Sequence, residues 1–171
     1  MADLIHEVQG SDKIGQLIRR DDRWLSCFGA PPVRQTGELL ARSLDALGRR
    51  FVVIDSDSSR IDDLYLDSYH ADVPGLVGDA GDPGHLTVAG LGHPRCEGVL
   101  AITDNDEANL AVTQTAALLR PDLPVITRTV SPAMAARMQV FGSPTVVNPF
   151  DRFGDHLRIA LRAPASYQLL T

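Results

Sequence analysis

Cysteine is scarce in this sequence, and so are most of the patterns that announce a function. Cys27 and Cys96 are the two thiols among 171 residues, both in apolar or irregular stretches. That excludes a disulfide scaffold and points to reduced thiols in a cytosolic protein. No basic run occurs: the densest cluster, Arg19, Arg20 and Arg23, is interrupted by Asp21 and Asp22, and the formal net charge is −6. Tight non-specific binding of nucleic acid comes from neutralising phosphates, so no nucleic-acid partner is expected. No apolar run approaches the roughly 20 residues of a membrane span, and no signal-peptide pattern opens the chain, so the expectation is a soluble polypeptide. Catalytic signatures are missing too. There is no Gly-x-Ser-x-Gly elbow and no His-Glu-x-x-His, and no histidine stands in a setting suited to hydride transfer. His85 and His156 fall in helical patterns and read as surface or capping residues. His93 and Cys96 lie three apart, but one other cysteine about 70 residues away does not make a zinc site. The acids between Asp104 and Glu107 lack EF-hand spacing, so no metal is expected.

What is present is a regular alternation. With 44% hydrophobic and 22% charged residues the composition is that of a globular domain, and a chain this long buries about two thirds of its unfolded surface. Residues 1–22 are weakly patterned and read as a linker or lead-in helix. From Trp24 onward, short apolar runs occur at Trp24–Phe28, Phe51–Ile54, Gly75–Val77, Val99–Thr103, Val125–Thr127 and Thr145–Val147. Several are rich in β-branched residues and most are bounded by turn residues, as expected of strands buried on both faces. Helical patterns lie between them. Leu40, Leu44 and Leu47 share a spacing that Gly48 stops; Met134, Met138 and Phe141 share another. Asp82-Pro83, Ser131-Pro132 and Asn148-Pro149 each pair an N-cap with proline at the first helical position. Parallel neighbours require crossovers, so the alternation predicts an α/β, Rossmann-like, doubly wound parallel six-stranded sheet over 23–148. A C-terminal crossover helix over 149–171 follows, with Phe150, Phe153, Leu157, Ala160 and Leu161 as its apolar stripe.

Ligands of such sheets bind at the carboxyl ends of the strands, and the candidate residues sit there. After the first run, Gly29 and Gly37 bracket a long loop containing Pro31 and Pro32, which have no N–H to offer a phosphate. Arg34 in that loop is either a substitute phosphate ligand or a solvated surface arginine. Asp55, 26 residues after Gly29, either accepts from ribose hydroxyls or serves as a strand-end acid beside the capping Asp57 and Ser58. Asp79 and Ala80 end the third run, where an acid can meet an adenine amino group or a ribose. Thr103 opens a stretch, Thr103 to Leu110, whose acids suit a helix N-terminus and need no ligand; alternatively Thr103 and Asn109 line the cofactor groove. Arg128, after the fifth run, either offsets phosphate charge or is an exposed strand-end arginine.

Three segments together resemble a known family. Gly78-Asp79-Ala80-Gly81-Asp82-Pro83, Leu91-Gly92-His93-Pro94-Arg95-Cys96 and Val99 through Ala111 look like the RCK/KTN (TrkA-N-like) regulatory domain of potassium channels and transporters. That family has a Gly-Asp-Ala-x-Asp-Pro strand end and a Thr-x-x-Asp-x-x-Asn-Leu helix start. The helix from Gly37 to Gly48, the run Phe51–Asp55, and Val147-Asn148-Pro149-Phe150 are similar too, so the resemblance spans about residues 23–165. It implies a homodimer, or a higher ring, on the cytoplasmic side of a membrane whose pore or transporter part lies elsewhere in a longer protein or in a separate subunit. It implies NAD(H), AMP, ADP or ATP as ligand. Asp55 would hold ribose, Asp79 and Ala80 would flank adenine, and Thr103 and Arg128 would approach phosphates. One departure is the first turn: where the family reads Gly-x-Gly-x-x-Gly, this loop is about three to five residues longer, which argues against the usual dinucleotide binding at the pyrophosphate and fits a mononucleotide held by Asp55 and Asp79, or an empty groove.

Three functions compete on this footing. The first is a non-enzymatic nucleotide-sensing module that controls potassium flux. The second is a structural dimerisation domain without a ligand, which the two prolines favour. The third is a small NAD(P)-dependent oxidoreductase, for which neither a proton donor nor a substrate pocket stands out.

Overall fold

Apolar runs flanked by capping residues become strands and helices in strict alternation in the computed structural model, which describes residues 24–28, 34–70, 72–142, 144–151, 154, 155 and 158. The strands are β1 (Trp24–Phe28), β2 (Arg50–Asp55), β3 (Gly75–Val77), β4 (Cys96–Ala101), β5 (Val125–Arg128) and β6 (Thr145–Val147). Between them run α1 (Arg34–Ala46), α2 (Ser58–Leu66), α3 (Pro83–Val88), α4 (Asp106–Leu119) and α5 (Pro132–Gln139). The strands form one sheet in the order β3-β2-β1-β4-β5-β6, and each neighbouring pair is parallel. The order reverses at β1, the switch point of a doubly wound fold. The expected lead-in helix over 1–22 and the glycine turn from Gly29 to Pro32 lie outside the described residues, as does most of the stripe assigned to the last helix; residues 149–151 are helical.

Alternation along each strand sends successive side chains to opposite faces, and both faces are covered. Val52, Ile54, Val99, Ala101 and Val125 pack with Leu86 of α3, with Ala89 just past its end, and with Val112 and Ala116 of α4. Phe51 and Leu100 face the other way, onto Ala41 and Leu44 of α1, with Leu64 of α2 alongside. Each large side chain so buried contributes roughly 1.5–3 kcal/mol relative to exposure.

Helix ends follow the signals in the sequence. Asp82 accepts from Gly84 N–H with Pro83 at the first position, and Ser131 accepts from Met134 N–H ahead of Pro132. Gly48, at φ +65°, closes α1 with bonds from its own N–H to Asp45 and from Arg49 N–H to Leu44. This left-handed turn favours glycine because it has no Cβ to clash. Leu47 departs from the expected stripe: it is 74% exposed, because it already belongs to that closing turn. Ala41 takes the place on the buried face. Two boundaries also differ from expectation. β4 begins at Cys96, three residues before the apolar run, because Trp24 pairs with Cys96 and Leu25 with Gly98, leaving Glu97 as an irregularity in the ladder. It ends at Ala101, since Thr103 bonds to the following helix instead of a strand.

Candidate functional site at the carboxyl edge

Every strand points the same way, so the tips of β1, β2, β3, β4 and β5 share one edge. Ile54 and Ala101 both sit opposite Phe28. The tips of β2 and β4 therefore flank the end of β1, separated by two strand spacings, roughly 10 Å.

Asp55 is the last residue of β2 and is 4% exposed. Its carbonyl accepts from Gly78 N–H at 2.9 Å, tying the tips of β2 and β3 together. Its Oδ1 accepts from Asp57 N–H at 2.9 Å, and its Oδ2 lies 3.4 Å from Arg60 Nη1. The capping task falls to Asp57, whose Oδ1 accepts from Ser59 N–H at 3.0 Å and from Ser59 Oγ–H at 2.7 Å. Sequence reading did not single out Arg60. The signal was its place three residues after the cap Asp57, the spacing at which helix side chains meet.

Asp79 lies just past β3 on the exposed rim, where its Oδ1 accepts from Gly81 N–H at 2.8 Å; Ala80 beside it is buried. His85 is half-buried at the surface: a Cβ on Gly78 would stand 2.9 Å from its ring, and its Nδ1 lies 3.0 Å from the Asp79 carbonyl. A carbonyl only accepts, so Nδ1 carries the hydrogen. This contact depends on how α3 folds back beneath β3, which residue spacing does not report.

Across β1, Thr103 and Asn109 build the corner between β4 and α4. Asn109 is fully buried. Its Oδ1 accepts from Thr103 N–H, and its Nδ2 donates to the carbonyls of Thr103 and Arg128, each at 2.9 Å. Thr103 Oγ1 turns back onto the Asn105 backbone, and Asn105 caps α4 by accepting from Glu107 and Ala108 N–H. Arg128 reaches over the tip of β4, where its Nη1 donates to the Thr103 carbonyl at 3.0 Å. Asp106 in turn accepts from Thr129 Oγ1 at 2.7 Å and from Val130 N–H. Of the two readings of this stretch, capping falls to Asn105 and Asp106 braces the next loop; Asn109, expected as a groove residue, is instead fully buried because its amide is spent on the backbone of Thr103 and Arg128.

Of the remaining candidates, Gly29 lies outside the described residues. Arg34 is the first residue of α1 and Gly37 its fourth, so the helix starts three residues before the glycine spacing placed it. Residues 29–33 separate it from β1. An open depression of about 580 Å³ lies at the opposite, amino edge, between Cys96, Glu97, Arg120, Asp122 and Leu123. There Arg120 is clasped by Asp122, whose carboxyl it holds below the ordinary carboxylate range through their hydrogen bonds. Among the described residues, no group of three His, Cys, Asp or Glu side chains is placed to hold a metal, and no helix is long and apolar enough to cross a membrane.

Comparison with known proteins places this arrangement in context. A family model described as the TrkA-N domain matches residues 33–149. Over 134 residues the chain is 31% identical to a protein assigned by name as the K(+) efflux antiporter KefB of Alkalimonas amylolytica, a match that takes in 75% of this chain and 19% of that protein. The chain thus spans about a fifth of that relative's length. The TrkA-N domain of the inner membrane protein YbaL from Escherichia coli superposes with a TM-score of 0.71 at 20% identity, over 82% of this chain and 98% of that one. The NAD(P)-binding domain of an exopolyphosphatase-related protein from Archaeoglobus fulgidus gives 0.65 at 19% identity, with the same coverage of 82% and 98%. The GsuK channel bound to NAD gives 0.63 at 20% identity, over 80% of this chain and 23% of that one. At these identities the superpositions establish a shared Rossmann-like fold.

Proposed function

The chain belongs to the TrkA-N domain family, and on that premise we propose that it is a nucleotide-sensing regulatory domain of a potassium channel or transporter. The observation that carries this reading is the pairing of a buried acid, Asp55, with a polar corner, Thr103 and Arg128, on the two sides of the β1 tip. In this reading Asp55 accepts from ribose hydroxyls, and Asp79 and Ala80 flank the adenine. Thr103 and Arg128 approach the phosphates, with Gly29, Arg34 and Gly37 where α1 begins. NAD(H) or an adenine mononucleotide (AMP, ADP or ATP) is the ligand class. Residues 23–148 form the sensing unit, 149–171 form a crossover helix that pairs two copies, and 1–22 are a linker. The membrane part is supplied elsewhere in the full protein or by a partner, which sets the domain at the inner face of the membrane. Control is by population shift: a ligand moves the gate only by its differential affinity for two arrangements of the dimer. No chemical step is assigned to these residues.

A second reading, a structural domain with an empty groove, is favoured by contacts already made at the edge. Arg60 stands on Asp55 and Arg128 on the Thr103 carbonyl, so a ligand must share or displace both.

A thermal-shift series with NAD+, NADH, AMP, ADP and ATP separates the two. A ligand at 100 times its Kd stabilises the folded state by about 2.7 kcal/mol, which for this chain length raises Tm by roughly 5–10 °C. We expect such a rise with at least one nucleotide and its loss in Asp55→Asn. A flat response to all five supports the empty groove.

A further inference from the structure

We propose that His85 is a positioning residue for base recognition. From beneath the tip of β3 it fixes the peptide between Asp79 and Ala80, so that the Ala80 N–H is held ready for the base of a nucleotide. The inference rests on the nucleotide-binding reading given above and adds a residue that touches no ligand but keeps the base subsite in shape.

One carbonyl carries the argument. The Asp79 carbonyl accepts from Asp82 N–H at 3.1 Å, which closes the turn between β3 and α3. It also accepts from His85 Nδ1–H at 3.0 Å. A carbonyl oxygen has two lone pairs, so these two donors use its full capacity and hold it facing α3. The peptide unit is planar and trans, and in such a unit the C=O and the N–H point in opposite directions. The Ala80 N–H is thereby turned away from α3. Ala80 is 6% exposed, and its N–H finds no acceptor among the described residues. Buried donors without a partner are rare in folded proteins. This one stands at the carboxyl edge, where ligands of parallel sheets bind.

The imidazole is itself held in place. A Cβ on Gly78 would stand 2.9 Å from His85 Cγ and 3.0 Å from its Nδ1, so the ring lies directly against the bare Cα of Gly78. Gly78 is tied in turn to the tip of β2, its N–H donating to the Asp55 carbonyl at 2.9 Å. The ring thus wedges between the end of β3 and the start of α3, and without it the Asp79 carbonyl keeps the Asp82 N–H alone. What the aimed N–H reads follows from base chemistry. Adenine presents an acceptor, N1, beside a donor, its 6-amino group; hypoxanthine presents N1–H beside a carbonyl. A backbone N–H next to the Asp79 carboxylate suits the first arrangement and opposes the second. The two tasks of His85 are separable by substitution. Asn places an amide N–H the same number of bonds from Cβ as Nδ1, whereas Leu keeps an apolar body against Gly78 and offers no donor.

The test compares two ligand pairs that differ only in the base, AMP with IMP and NAD+ with nicotinamide hypoxanthine dinucleotide, by calorimetric titration of the wild-type protein, His85→Asn and His85→Leu. The quantity read is the ratio of the two Kd values within one protein, taken on whichever pair binds more tightly, so a general loss of stability cancels. The wild-type protein is expected to prefer the adenine member by at least about tenfold, a gap of some 1.4 kcal/mol. His85→Leu should shrink that ratio several-fold, and His85→Asn should restore most of it. If His85→Leu does not fold, His85→Ala takes its place. A wild-type ratio near one, a ratio unmoved by the loss of the donor, or an equal fall in the Asn and Leu variants overturns this inference. In each of these cases the adenine nucleotide is still bound and the nucleotide reading stands. Binding of none of the four ligands by the wild-type protein removes both.

Discussion

Asn109 has no solvent exposure, and its amide is engaged at three points, with Thr103 N–H, the Thr103 carbonyl and the Arg128 carbonyl. Asn109→Ala leaves these three backbone groups in a dry corner without their partner, and each such group costs about 1–3 kcal/mol, not additively. We expect a loss of about 2–4 kcal/mol, read as a lower urea midpoint at unchanged m value. Asn109→Asp should be at least as damaging, because a carboxylate then faces two carbonyls that need a donor. An effect below about 0.5 kcal/mol, the size of an ordinary surface substitution, would contradict this account. At this scale the sequence was partly legible. Asp55 could be placed at a strand tip because the run before it is apolar on both faces, and Asp82 and Ser131 could be placed as caps because proline follows each. His85 could not, since its contact runs through a crossover whose geometry spacing alone leaves free; for Arg60 the spacing signalled the pairing with Asp57 but not the reach back to Asp55.

Strand β3 shows what sets the fit between elements. It is a three-residue edge strand, and α2 comes so close that a Cβ on Gly75 would lie 2.9 Å from Ile61 Cγ2 and 3.2 Å from Leu64 Cδ2. Tyr65 of the same helix donates its hydroxyl hydrogen to the Gly75 carbonyl at 3.0 Å and accepts from Gly75 N–H at 3.2 Å. A side chain thereby satisfies backbone groups that an edge strand leaves open. Gly75→Ala is expected to cost about 1–3 kcal/mol by overpacking. Combined with Ile61→Ala it should destabilise less than the sum of the two single changes, because the second removes what the first collides with. A double-mutant cycle reads this coupling directly, and strict additivity would refute the close approach. Boundaries were the weakest part of the sequence reading at this scale. The helix α1 starts at Arg34 with no capping pattern to announce it, and β4 takes in Cys96, Glu97 and Gly98, whose composition is not that of a strand interior.

For the whole molecule, the alternation of apolar runs and capped helices sufficed to give a parallel α/β architecture, because burial of both sheet faces writes itself into every strand. Which contacts set the pH limits of that architecture was not legible. Tyr69 packs edge-on against Phe51, with ring centroids 6.3 Å apart, and donates to Asp67 at 3.2 Å. Burial first, and then the adjacent Asp67 carboxylate, push its phenol up to about 12. An unfolded tyrosine ionises near 10, so between these values the unfolded chain releases a proton that the folded one keeps. The stabilising contribution is whole below about pH 10 and is lost as the pH rises towards about 12. Tyr69→Phe retains the ring contact and removes the titration. A urea midpoint followed from pH 8 to pH 12 should therefore fall less steeply in that variant than in the parent protein. Identical slopes would show that another group governs the alkaline limit.

The hydrogen bonds that Asn109, Arg128 and Asp106 make around Thr103 and Thr129 join the ends of β4 and β5, and the loop before α5, to the start of α4. Such a corner bends only if several bonds break in concert, so it behaves as a rigid lever with no pivot inside it. A displacement at Thr103 is therefore expected to carry into the loop at Thr129 and Val130 that leads to α5.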